Sequence, residues 1–169
     1  MDHPTLYDDD IVTWSEQQAA AVRALASRPD LSNALDWENV AEEIESVGRS
    51  QIQAVESLVL QLLVHLQKRA SASTSEPDGH WRAEIATFQV TARNRYERSM
   101  RRRIDWQRSW ASARELAAAP LLPFGDAIVP NLPETCPLSP EQLMASPFDI
   151  DAALASVVAS AGPRRAAEP

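Results

Sequence analysis

From Asp36 to Lys68 the chain runs without a proline and with a single glycine, and its apolar residues return every three or four positions. Val40, Ile44, Val47, Val55, Leu58, Leu62 and Leu66, with Gln51 and His65 between them, fall on one stripe of an α-helix. A helix of about nine turns must bury one face, and the chain offers only other helices to cover it. Glycine is scarce, at 4 residues, and no stretch alternates β-branched and aromatic side chains with polar ones, so a sheet has nothing to build from. The turn-forming run SASTSEPDG follows, and then a second stripe, Trp81, Ile85, Phe88, Ala92 and Tyr96, with Met100 near its end. The expectation is an all-α fold, a small helical bundle centred on a long antiparallel helical hairpin of residues 36–68 and 80–118.

The remaining segments fit around that hairpin. Asp8, Asp9 and Asp10 supply caps for a first helix. It carries Trp14, Gln18, Ala21, Val22 and Leu25 on one face and is stopped by Pro29. Gly48, followed by Ser50 and Gln53 in capping-box spacing, marks where the long helix would kink, although a continuous helix is favoured. Trp106, Trp110, Ala113 and Ala117 form a further stripe beginning near Ile104 or Asp105, which leaves Ser99 to Arg103 as a candidate break. Six prolines between 120 and 140 forbid a long helix and predict an extended segment that wraps the bundle. Ser139 caps a short helix through Leu143 and Met144, residues 151–160 form a terminal helix, and 162–169 are expected to be disordered. The organisation expected is one helical domain over 1–148 and a C-terminal tail over 149–169.

Charge narrows the function classes. The net charge is −8, yet residues 81–115 hold 9 basic and 4 acidic side chains, leaving −13 on the rest. That imbalance opposes general nucleic-acid binding beyond short range. The N-terminus lacks a basic and apolar leader, and no apolar run approaches a membrane span, so neither secretion nor membrane insertion is expected. Cys136 is the only cysteine, which excludes an intrachain disulfide and fits a reducing, cytoplasmic setting.

Three constellations carry candidate chemistry. Glu42, Glu43 and Glu45, with Arg49, sit in WENVAEEIESVGRS. Carboxylates three apart on a helix can share a divalent cation, but a second acidic pair on a facing helix is missing, because Glu84 and Glu97 lie thirteen apart. No metal is therefore assigned. Hairpin pairing would instead set these glutamates against Arg98, Arg101, Arg102 and Arg103. At the other end the hairpin brings His65 and Lys68 beside Trp81 and Arg82, a base, two cations and an aromatic platform. The same residues also suit a helix C-terminus and the core stripe. The third constellation is the arginine run itself, which can grip phosphates but more readily faces an acidic protein surface. There is no glycine-rich phosphate loop and no cofactor motif, and nothing beside Cys136 activates it as a nucleophile.

The stretches YDDDIVTWSEQQAAAVR, DWENVAEEIESVGRS, LLVHLQK, WRAEI and NLPETCPLSPEQL resemble the bacterial family called domain of unknown function 29, over residues 7–148. The resemblance implies a compact helical bundle and marks Glu42, Glu43, Glu45, Arg49, His65, Lys68, Trp81 and Arg82 as positions a shared function would use. The chain departs from the pattern at Val12, at Val40 and in the charged 98–110 segment, where a prolyl turn is expected. The function expected is a noncatalytic cytosolic helical protein–protein interaction module. The alternative is a small phosphoester-cleaving enzyme, nuclease-like or nucleotide-hydrolysing, using the Glu/Arg or the His/Lys/Arg cluster. The balance is against an enzyme.

Overall fold

The computed structural model describes residues 5–28, 30, 34–72, 78–124 and 127–161. Among them every regular element is helical: α1 (Leu6–Asp9), α2 (Ile11–Ala26), α3 (Trp37–Ser71), α4 (Asp78–Arg95), a 3₁₀ helix Arg98–Arg102, α5 (Trp106–Ala118), a 3₁₀ helix Ala119–Phe124, α6 (Pro140–Leu143) and α7 (Ile150–Ser160). The all-α expectation holds. The long helix passes Gly48 without a break. The 80–118 arm is divided, with α4, a 3₁₀ turn and α5 in succession. The chain forms two compact units, one of residues 1–55 with 95–104, the other of 56–94 with 105–169. The expected tail at 162–169 and the loop tip at 73–77 lie outside the described residues.

In the first unit, Asp10 ends α1 and caps α2, its Oδ1 accepting the Thr13 amide at 2.9 Å. Asp36 does the same for α3 through the Asn39 amide at 3.2 Å. The buried face of α2 is Val12, Ser15 and Ala19, not the predicted Trp14–Leu25 stripe, and Leu25 is 42% exposed. The facing stretch of α3 buries Ala41 and Gly48, one position off the predicted stripe, and rejoins that stripe at Val55, so Val40 and Val47 are left exposed. The shift has a steric cause. A Cβ at Gly48 would sit closer to Ser15 Oγ than a real methyl carbon does, and 3.4 Å from Val12 Cα. The two backbones meet across small side chains, so hydrophobicity does not mark the seam.

In the second unit, α3 from Glu56 onward pairs antiparallel with α4: His65 lies opposite Glu84, and Lys68 opposite Trp81. Residues 62–67 are buried without interruption, and Trp81, Ile85, Gln89 and Ala92 face them. α5 adds Trp110, Ala113 and Ala117, all fully buried. The proline-rich segment wraps as expected, and polar side chains of the core fix it in place. Trp110 Nε1 donates to Pro133 O at 2.9 Å, and Gln89 Nε2 donates to Leu143 O and Ala145 O at 3.1 and 2.9 Å. Gln107 Oε1 accepts the Cys136 amide at 3.0 Å, and Ser71 Oγ the Val129 amide at 3.0 Å. A segment rich in proline has few amides to pair its own carbonyls, so donors must come from elsewhere. Ser139 and Gln142 form the predicted capping box of α6. Asp149 caps α7, which buries Ala153 and Val157.

Candidate functional sites

The glutamate cluster lies in the first unit on the opening turns of α3, and its partner is α2. Arg23 reaches from α2 to donate to Glu45 at 2.6 and 3.2 Å and to Glu38 at 3.0 Å, with Glu42 at 3.8 Å. Arg49 closes the network from within α3, 2.5 Å from Glu42 and 3.6 Å from Glu45. Its hydrogen bonds to Glu45, then Glu38, raise the Arg23 pKa, and the same contact with Arg23 holds the Glu45 carboxyl below its ordinary range. Glu43 is exposed and makes no ion pair among the described residues. Three of the four nominated residues are thus brought together, but by Arg23, which the sequence reading did not nominate. Its signal was weak, a single arginine inside an otherwise uncharged stretch of helix.

The expected pairing of these glutamates with the 98–103 arginines does not occur. Arg103 forms a two-pronged ion pair with Glu16 of α2 and donates to Ser99 O at 2.7 Å. Ser99 Oγ donates to Asp10 Oδ1 at 2.8 Å, and Glu97 accepts the Val12 amide at 3.3 Å. Burial raises the Glu97 pKa, aided by its contact with Asp10. Asp10 itself, although burial opposes it, is held low by hydrogen bonds from Thr13 and Ser99. Met100 and Ile104 are buried beneath the turn. The 3₁₀ helix is therefore pinned to α2, and Arg98, Arg101 and Arg102 are exposed around a concavity of about 450 Å³ that Asp10, Ser99 and Arg103 also line. Antiparallel register alone does not reveal this, because the break after Arg95 redirects the chain. A second hollow, of about 200 Å³, lies over Gly48 between Ser15, Glu16, Glu45 and Arg49.

The His65 cluster forms in the second unit largely as expected. His65 is 7% exposed; its Nδ1 lies 2.8 Å from Gln61 O and its Nε2 2.7 Å from Glu84 Oε2, with the Phe88 ring packed at 5.2 Å. Both ring nitrogens therefore face acceptor oxygens. His80, one turn before Glu84, approaches the same oxygen at 3.3 Å and is exposed. Lys68 Nζ stands 5.0 Å from the Trp81 ring centre, and burial lowers its pKa against the opposing charge of Glu84. Arg82 departs from the cluster to pair with Asp151 of α7 at 2.7 and 3.1 Å, which holds the Asp151 carboxyl low. Glu84 and His80 are the residues the sequence reading passed over; their i, i+4 spacing on the helix facing His65 was the available signal. Among the described residues no group of three or more His, Cys, Asp or Glu side chains has the geometry to hold a metal ion, and no helix is long and apolar enough to cross a membrane.

The family model described as Domain of unknown function DUF29 matches residues 6–149. The chain belongs to this family. The match spans both units and includes the motif residues of both clusters. Among solved structures, an alpha-helical protein of unknown function from Rhodospirillum rubrum ATCC 11170 is 35% identical, with a TM-score of 0.81 over 91% of this chain and 98% of that one. No curated protein matches. The neighbour agrees with the helical fold, and family and neighbour alike are described as of unknown function.

Proposed function

We propose that this chain is a noncatalytic helical interaction module whose partner is a protein, acting in the cytoplasm. One observation carries the reading: the side chains best suited to chemistry are committed to holding helices together. Glu42 and Glu45 are neutralised by Arg23 and Arg49, Arg82 by Asp151, and His65 is enclosed by Gln61, Glu84 and Phe88. A catalytic acid, base or metal ligand needs a lone pair or proton that a substrate can reach. The Cys136 thiol, its pKa raised by burial, offers no nucleophile.

The rival, a small phosphoester-cleaving enzyme, draws on the convergence of His65, Glu84, His80 and Lys68 in the second unit. The test separates the two. The purified chain is assayed on RNA, nucleotides and activated phosphodiesters with a divalent-metal panel, and tagged protein is used in parallel to capture partners. Inactivity with a stoichiometric protein partner is expected. Turnover that disappears in His65→Ala while the fold is retained would establish the rival.

A further inference from the structure

Beyond the interaction-module reading, we infer that the concavity beside the 3₁₀ turn Arg98–Arg102 is a binding site for a small polyphosphate, free or carried by a nucleotide. Charge, direction and size select that ligand.

The concavity, of about 450 Å³, is lined by Arg98, Arg101, Arg102 and Arg103 with Asp10 as its one carboxylate. The glutamates expected to face these arginines are taken elsewhere, Glu42 and Glu45 by Arg23 and Arg49. Asp10 is satisfied within its own surroundings. Its Oδ1 accepts the Thr13 amide at 2.9 Å and Ser99 Oγ at 2.8 Å, and its Oδ2 accepts the Thr13 hydroxyl at 3.0 Å. Arg103 is held by Glu16 and Ser99 O. Arg98 and Arg102 are exposed and make no ion pair among the described residues.

Those two arginines are four residues apart on a helix of three residues per turn. They leave its axis in directions about 120° apart, separated by about 8 Å along it, and both line the same hollow. A ligand there is met from two sides. Planar carboxylates in a row on one helical face do not suit that arrangement. Tetrahedral phosphates do, because they turn oxygens in several directions toward guanidinium forks. A chain of phosphates also bridges a separation that a single orthophosphate leaves open.

The volume falls within the range of small-molecule sites, about 300–1,000 Å³. A compact ligand stays within about one Debye length, about 8 Å, of the arginines. A nucleic acid would continue over the surface of a chain whose net charge is −8. The turn is also rigid before binding, since Met100 and Ile104 are buried beneath it and Ser99–Asp10, Glu97–Val12 and Arg103–Glu16 contacts fix it against α2. A site held in one conformation loses less entropy when its ligand arrives.

The probe is inorganic triphosphate, titrated calorimetrically into the full chain near physiological ionic strength. Orthophosphate, citrate, a nucleoside triphosphate and a short single-stranded RNA are the comparisons. Wild type is set against Arg98→Gln/Arg102→Gln and, as a charge control in the second unit, Arg108→Gln, each checked for an unchanged Tm. One triphosphate per chain is expected, bound at least about tenfold tighter than orthophosphate or citrate. That preference should be lost in the double variant and kept in Arg108→Gln. Equal affinity for the nucleoside triphosphate supports the site as one for nucleotides; weaker affinity supports it as one for free polyphosphate. The assignment is overturned by an absence of saturable binding, by citrate binding as tightly as triphosphate, or by RNA binding more tightly. It is equally overturned if the double variant binds like wild type or if Arg108→Gln loses as much. Capture of a protein partner is a separate measurement, so the interaction-module reading stands or falls apart from these results.

Discussion

Placing a methyl group on Gly48 tests the seam between α2 and α3 of the first unit directly. In an exposed helix interior, Gly→Ala gains about 1 kcal/mol from backbone entropy. Here the new Cβ meets Ser15 Oγ at a separation no real contact sustains, and Val12 Cα at 3.4 Å. Ser15 is fully buried, and turning its hydroxyl aside gives up the 2.9 Å bond to Val12 O. Overpacking of this kind costs about 1–3 kcal/mol. Taking about 2 kcal/mol and subtracting the helical gain leaves Gly48→Ala about 1 kcal/mol less stable, a fall in Tm of about 2–4 °C. In a Ser15→Ala background the obstructing oxygen is gone and the remaining approach to Val12 is ordinary contact, so the same substitution should then stabilise by up to about 1 kcal/mol. A thermal and urea double-mutant cycle over the four proteins should return a coupling of about 1–3 kcal/mol. If Gly48→Ala had the same effect in both backgrounds, or stabilised the wild type, the close-approach account of this glycine would be refuted.

Other outcomes are expected across both units. Trp110→Phe keeps most of the buried ring but removes the donor to Pro133 O, and should cost about 1–3 kcal/mol for the unpaired carbonyl; hydrogen exchange should rise at 129–138 first, and unchanged protection there would show that other contacts fix the segment. Arg23 depresses the Glu45 pKa, so the stabilisation is present above the ordinary glutamate range, about 4.3, and is lost as pH falls through the depressed folded value. Arg23→Gln should therefore be less stable than wild type at neutral pH, with the gap narrowing in acid, and a gap independent of pH between neutrality and pH 3 would contradict the assignment.

The helical periods of the sequence were enough to place α3, α4 and α5, because long stripes of large side chains report their own buried face. They also placed the hairpin end where His65, Lys68 and Trp81 meet, since antiparallel register follows once the loop is located. Proline spacing marked the wrapping segment, and Ser139 marked α6, because these act through backbone geometry within a few residues. The buried face of α2 and the first half of α3 were not legible. There the contact is made by Ser15, Ala19, Ala41 and Gly48, whose small size permits backbone approach and leaves no hydrophobic signature.

The sequence by itself determined the helical class, the long helix and the local caps, all of which depend on neighbours within one or two turns. Only the tertiary structure decided which charges meet. Glu45 went to Arg23, Arg103 to Glu16 and Arg82 to Asp151, while Arg98 and Arg102 were left facing outward. Charge is long-ranged and carries no period, so its partners are chosen by the packing of small residues that bring one helix against another.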